Sequence, residues 1–416
     1  FGKSDLLVRA CAGSGKTFTA VEAVKRFGHP VIFVCFNKSV QEGLAARLPP
    51  DCSARTLNSL GLEMMRTTYG SQIDLAKTSR IVRNTLFEDR KFPRGSPAAK
   101  AFSAACRLVS YAKSQALDPR FPLSSPALRK LNERVRELVQ SGVIVESLGS
   151  QWLSWGIMRC LSRCLKDKES VDHDDSVWMP GVLKLAYPCY RYKAVVVDEY
   201  QDLTPAHWVM VQGCVSDLAK LYIGDPYHSI FNYTATTAIY TDSLLAPIPH
   251  RLSLSTTFRC PQSHVRLARK VNNEIYSTTD AREGMVVDSD IDPRDIPHGS
   301  AVLCRNNAPL LSLAKKLTSI GKTVYVRSPR LRETLHNLVD EWDSGGEDIA
   351  LWRWAEDRAR PLEKRGICRA LADTYRCLVG LSHTYGTSEK VREGIDKTLS
   401  PNPGGRSITL STVHAA

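Results

Sequence analysis

Two short stretches hold the residue types that phosphate chemistry needs. The first is Ala10-Cys11-Ala12-Gly13-Ser14-Gly15-Lys16-Thr17, which follows an apolar run and precedes a helical pattern. Glycines at such a strand-to-helix turn let backbone amides face phosphate oxygens, and the helix N-terminus adds positive potential. Lys16 would reach the β and γ phosphates and Thr17 would bind Mg²⁺. Residues 12 to 17 are therefore expected to hold a nucleoside triphosphate. The second stretch is "AVVVDEYQD", residues 194 to 202, in which four apolar residues run into Asp198, Glu199, Gln201 and Asp202. Carboxylates against an apolar strand are costly unless a cation offsets them. A strand end facing the phosphate loop supplies that cation: Asp198 would hold Mg²⁺ through water and Glu199 would orient and deprotonate an attacking water. Gln201 and Asp202, further on, would sense the γ phosphate and fix neighbouring loops.

Such residues need strands that end together. Apolar runs recur at 6–10, 31–36, 194–197, 221–223, 252–255, 301–304, 323–326 and 407–411. They are continuous rather than alternating, as expected for parallel strands covered by helices on both faces. The runs divide at about residue 245. Between the second and third lies a helical insertion. Phe102, Ala105, Val109 and Ala112 share one helical face there, and so do Leu128, Leu131, Val135 and Leu138, with Ser125 as N-cap and Pro126 at the first helical position. Residues 330 to 400 read as helical again, with Trp352, Trp354 and Leu362 available for a core.

The 416 residues, 43% hydrophobic, suffice for more than one core, and the formal charge of +13 favours a polyanionic partner. Fourteen Lys and Arg against four acids fall between Lys77 and Arg136, so the insertion is the first place to seek a phosphate backbone. Arg129, Lys130 and Arg134 are the expected duplex contacts. The twelve cysteines include no Cys-x-x-Cys pair. They read as reduced, buried thiols of an intracellular protein rather than as a zinc site or disulfide framework. No apolar run approaches the roughly 20 residues of a membrane span, and the opening residues do not form a signal peptide. The chain begins without Met and is expected to be a trimmed part of a longer one.

Asp-Glu-x-Gln-Asp following Ala-x-Ala-Gly-Ser-Gly-Lys-Thr resembles the UvrD-like branch of superfamily 1 helicases, ATP-driven translocases on single-stranded DNA. Further segments resemble that family in order and spacing: "CFNKSVQEGLAARLP" with "ARTLNSLG", "IGDPYHSIFNY", "LSTTFRC", "LCRNNAPL" and "SITLSTVHAA". The resemblance implies an α/β fold of two RecA-like P-loop NTPase domains with parallel sheets and helical insertions. Its parts would be 1–75 and 171–245 for the first domain, 76–170 for the basic insertion, and 246–416 for an incomplete second domain with a reduced helical insertion near 330–400. It also implies that Phe258 stacks on the adenine of ATP and that Arg259 reaches the γ phosphate from the second domain. Phe36, Asn37, Thr56 and Asn58 would contact single-stranded DNA, Phe231 and Tyr233 would stack on bases, and Thr412 and His414 would touch the DNA backbone.

Two positions depart from the family. His228 stands where the family has Gln, and Asn58 where it has His; an imidazole can still donate to phosphate and can change charge near neutral pH. The adenine-reading Gln motif before the P-loop and the continuation after the Thr-x-His motif are not in the sequence. The implied activity is ATP-dependent translocation, 3′ to 5′, with unwinding at single/double-strand junctions. The alternatives are a translocase that does not unwind and a weakly active nucleic-acid-binding remnant. The implied compartment is cytoplasmic in a bacterium or phage and nuclear in a eukaryote.

Overall fold

The computed structural model describes residues 5–36, 38–92, 96–121, 126–140, 150–187, 192–215, 218–228, 245–288, 290–344, 349–364, 369–399 and 407–413. Asn37, Phe231, Tyr233 and His414 lie outside the described residues, as does the expected cap Ser125. The chain is mixed α/β and falls into two compact units. The first comprises Phe1–Asp89, Ala105–Glu133 and Gln151–Val287, and the second Arg90–Ala104, Arg134–Ser150 and Asp288–Ala416.

In chain order, the first part contains β1 (Leu6–Ala10), α1 (Lys16–Phe27), β2 (Val31–Cys35), α2 (Lys38–Ala45), β3 (Ser53–Thr56) and α3 (Leu57–Tyr69). The insertion follows with β4 (Gln72–Ile73), α4 (Lys77–Leu86), α5 (Pro97–Ser114), α6 (Pro126–Gln140), α7 (Ser150–Lys166), β5 (Ser170–Val171) and α8 (Asp175–Val182). Next come β6 (Ala194–Asp198), α9 (Pro205–Cys214), β7 (Ala219–Gly224), β8 (His250–Leu254), β9 (Thr256–Thr257), α10 (Gln262–Ala268) and β10 (Tyr276–Ser277).

Six strands form one parallel sheet in the order β3-β2-β6-β7-β1-β8. Every residue of β2 and β6 is buried, so their unbroken apolar runs serve both faces. Alternate side chains separate into two cores. Leu7, Ile32, Val34, Val195 and Val197 pack with Leu57, Leu60, Met64 and Met210 of α3 and α9, while Val8, Phe33, Cys35 and Val196 pack with Ala20, Val21, Val24 and Leu44 of α1 and α2. Because all six strands are parallel, their carboxyl ends share one edge. The segments after β1, β2, β3, β6, β7 and β8 are thereby gathered along that edge.

β8 pairs with β1 from Leu6↔His250 to Ala10↔Leu254 and so belongs to the first sheet, and the first compact unit runs on to Val287, past the domain limit that the resemblance implies at 245. Some of the insertion's cations are buried. Lys77 and Lys113 are fully buried: Lys77 Nζ pairs with Asp175 at 2.7 Å, and Lys113 Nζ with Asp175 at 2.8 Å and Asp172 at 3.0 Å. Lys113 also donates to Thr78 at 2.7 Å, and Thr78 to Asp172. Burial alone would raise the Asp172 carboxyl, but Lys113 and the Thr78 hydroxyl outweigh it and hold it below its ordinary range. Lys130 is half-buried and donates to Gln115 at 3.2 Å, and burial lowers its pKa. The apolar faces expected for α5 and α6 are present, with Ala105, Val109, Ala112, Leu131 and Val135 buried.

The second unit contains β11 (Ala301–Cys304), α11 (Asn307–Ser319), β12 (Val324–Arg327), α12 (Pro329–Ser344), α13 (Leu351–Lys364), α14 (Arg369–Tyr385), α15 (Ser388–Thr398) and β13 (Ile408–Thr412). Its three-stranded sheet, β11-β13-β12, is also parallel. Trp354 and Leu362 are in its core, but Trp352 is 39% exposed and stacks on His383 with ring centroids 4.9 Å apart. Among the described residues no helix is long and apolar enough to cross a membrane.

Candidate functional site

The loop after β1 is held in a cradle that only small residues allow. Gly13 and Gly15 have φ of +76° and +82°, a region that costs an L side chain about 1 kcal/mol or more. A Cβ at Gly13 would stand 2.6 Å from both Arg259 Cβ and Thr257 Oγ1. Ser14 N donates back to Cys11 O at 3.2 Å, and Gly15 caps α1 without any side-chain hydrogen bond. The amides of the first turn of α1 are thus left uncapped by side chains, as a helix N-terminus that takes an anion must be.

At the end of β6 the acids converge on this loop. Lys16 Nζ donates to Glu199 Oε2 at 2.9 Å, and Gln201 Nε2 donates to the same oxygen at 2.7 Å. Gln201 Oε1 in turn accepts from Asp225 N at 3.0 Å, so one amide joins the exits of β6 and β7. That approach requires Gly224, since a Cβ there would collide with Gln201 Oε1 and the Tyr200 ring. Glu199 is itself held at φ 51°, the left-handed region, which non-glycine residues occupy where the surroundings over-determine them. Its amide donates to Asp198 Oδ1 at 3.0 Å.

These contacts separate the acids electrostatically. Burial pushes Asp198 up to about 6, aided by the Glu199 charge and opposed by Lys16. Asp202 rises to about 6 through the same burial and the same neighbour. Burial also raises Asp225. Glu199 goes the other way: burial alone would raise it, but Lys16, the Gln201 hydrogen bond and nearby His228 hold it below the ordinary range. His228, exposed on the turn Pro226–His228, thus stands within electrostatic reach of Glu199 and Asp225.

The donor set fits Mg²⁺ held with phosphates. A hydroxyl from Thr17 and a carboxylate from Asp198 are hard oxygen donors, and Mg²⁺ in nucleotide sites takes one or two protein oxygens plus phosphate and water. Among the described residues no group of three or more His, Cys, Asp and Glu is placed to hold a metal ion alone. The carboxyls of buried Asp198 and half-buried Asp202, kept near 6, are also groups that an added cation would return to the charged form.

Arg259 and Phe258 belong to the first compact unit, whereas the resemblance places them in a second domain. Cys11 N donates to Leu254 O at 2.9 Å and Phe258 N to Gly13 O at 2.9 Å, so the segment leaving β8 lies along the phosphate loop. Thr257 is buried and its hydroxyl accepts from Arg259 N at 3.3 Å. Phe258 is 73% exposed, an expensive position for a core residue and a suitable one for a stacking surface. Cys11, Val265 and Ile275 form a small core that pins this segment down.

The expected strand contacts are less uniform. Phe36 is half-buried at the exit of β2, edge-on to the His207 ring with centroids 5.4 Å apart. Thr56 caps α3, accepting from Ser59 N at 3.1 Å. Asn58 is turned inward, donating to His173 O at 2.8 Å and Ser176 Oγ at 3.0 Å, which ties α3 to the start of α8. Thr412 is buried at the end of β13 in the second unit. Sequence reasoning passed over Asp225, Gly224 and His207. The first two stand in the quoted Gly-Asp-Pro segment and were findable there; His207 forms a capping box with Thr204, whose Thr-Pro-x-His spacing is a weaker signal. No protein-family model matches the chain, and no curated protein sequence matches it.

Proposed function

We propose that the chain is an ATP-hydrolysing motor of the UvrD-like superfamily 1 type, built on two RecA-like domains, which translocates along single-stranded DNA and opens duplex at single/double-strand junctions. The observation that carries this reading is the linked set Lys16–Glu199–Gln201–Asp225 at one sheet edge, with Arg259 rooted against the phosphate loop.

Lys16 has two candidate acceptors, the Glu199 carboxylate and a nucleotide phosphate. A bound triphosphate draws the ammonium away from Glu199, which then loses the charge that holds its pKa down and becomes a better proton acceptor. Gln201 keeps that carboxylate oriented toward an attacking water while it reports on the exit of β7. Thr17 and Asp198 would hold Mg²⁺, which would supply charge neutralisation on the phosphate oxygens. Arg259 offsets the charge that develops on the transferred phosphoryl group, and Phe258 offers its exposed ring to the adenine. The resemblance assigns movement the 3′ to 5′ direction.

The test is unwinding of a duplex bearing a 3′ single-stranded tail, with ATP and Mg²⁺, beside displacement of a protein block from single-stranded DNA. Unwinding of 3′-tailed but not 5′-tailed or blunt duplex is expected. Block displacement without strand separation would assign translocation alone, and neither activity would remove the motor reading.

A further inference from the structure

The outward face of α7 has no role in the site described above. Its inner face is apolar, with Ile157, Cys160, Leu161 and Cys164 fully buried. Gly156 sits so close to Leu86 of α4 that a Cβ there would stand 2.7 Å from Leu86 Cδ2, which fixes which side of α7 faces out. On that side Trp155 is 66% exposed, and Arg159 and Lys166 are exposed with it. At 100° per residue these three fall within an arc of about 40°, and they span about 16 Å along the axis. Arg163 borders the row, anchored by its Nη1 bond to Thr85 Oγ1 at 2.9 Å.

Within the helices of this part of the molecule the charged side chains are cations, while the exposed acids Glu88, Asp89 and Glu169 stand just past the ends of α4 and α7. Helices α4, α5 and α7 contain no Asp or Glu. Of their nine cations, Lys77 and Lys113 are consumed by the buried cluster, and Arg80 pairs with Asp74 and Asp167. Arg107 on α5 and Arg159, Arg163 and Lys166 on α7 are exposed. The exposed indole therefore stands in a row of cations rather than in an apolar patch. A protein interface would surround such an anchor with apolar area, whereas a nucleic-acid strand needs a ring for its bases and cations for its phosphates.

We propose that this face binds unpaired nucleic acid, with a base stacked on Trp155 and backbone phosphates on Arg159 and Lys166. The proposal stands apart from ATP turnover, since none of these residues belongs to the nucleotide site. It is separate from the duplex contact expected of Arg129, Lys130 and Arg134 on α6, where Lys130 is hydrogen-bonded and half-buried.

The experiment uses a fluorescein-labelled oligothymidylate and its 5-iododeoxyuridine counterpart, without nucleotide. Photo-crosslinking is expected to mark Trp155. The double reversal R159E/K166E should weaken binding about tenfold near 0.1 M salt and reduce the slope of log K against log salt by about 1.4, or about 0.7 for each single-strand phosphate contact. W155A should lose the crosslink while leaving the salt slope unchanged, and both variants should keep the parent's circular dichroism because the altered side chains are exposed. A control reversal of exposed α1 and α2-flanking cations, R26E/R47E, should stay within about twofold of the parent. The proposal falls if no crosslink maps to α7 and R159E/K166E binds like the parent, if the control weakens binding as much, or if the face takes duplex and not single strand.

Discussion

Lys16 Nζ and Glu199 Oε2 are 2.9 Å apart, although 183 residues separate them in the chain. Lys16 and the acid proposed to activate water thus share one hydrogen bond, and the ammonium helps to hold that carboxyl below its ordinary range. Replacing Lys16 by Ala should abolish tight nucleotide binding and also raise the pKa of Glu199, because the cation that opposes burial is gone. Isothermal titration with a non-hydrolysable ATP analogue and carboxyl titration by NMR would check both halves.

Asp198 couples the site to stability. Its pKa in the folded chain, about 6, lies above the unfolded value near 3.9. Between those values the folded state retains a proton that the unfolded state has released, so this group's contribution to stability falls as pH rises from about 4 to 6. D198N removes the buried charge and should be more stable than the parent at pH 8, by on the order of 2 kcal/mol, with little difference at pH 4. Urea denaturation at both pH values, without Mg²⁺, measures this.

Gly224 is a prediction about shape. G224A keeps the strand but drives a methyl into Gln201 Oε1 and the Tyr200 ring. Overpacking of this kind costs about 1–3 kcal/mol and would loosen the bond from Gln201 to Glu199. Turnover should fall at least tenfold while nucleotide affinity changes much less, a split visible in steady-state kinetics.

The buried cluster of the insertion should dominate its stability. K113A leaves Asp172 and Asp175 short of a cation inside the protein and should destabilise by about 3–5 kcal/mol, whereas reversing exposed Arg129 should change stability by less than about 0.5 kcal/mol. Chemical denaturation followed by far-UV circular dichroism separates the two.

What was legible in the sequence was local. The phosphate loop could be read because strand, glycines and helix follow one another within a dozen residues, and the acids at 198 and 199 because an apolar run ends on them. What β8 pairs with cannot be read that way: a parallel partner 244 residues distant, as Leu6 is from His250, leaves no local trace. Counting cations located the insertion but could not show that Lys77 and Lys113 meet Asp172 and Asp175, since a charge count is blind to pairing. Trp352 reads as core from its residue type, yet helix rotation places it outward against His383.

If Lys16, Asp198 and Glu199 hydrolyse ATP under the control of a DNA strand, steady-state ATP turnover with and without saturating oligothymidylate, for the parent and for E199Q, will show it. Strong stimulation of the parent by the oligonucleotide is expected, with a loss of about 10²–10⁴-fold in E199Q and nucleotide binding retained. Turnover that ignores DNA, with E199Q as active as the parent, would overturn the proposed motor.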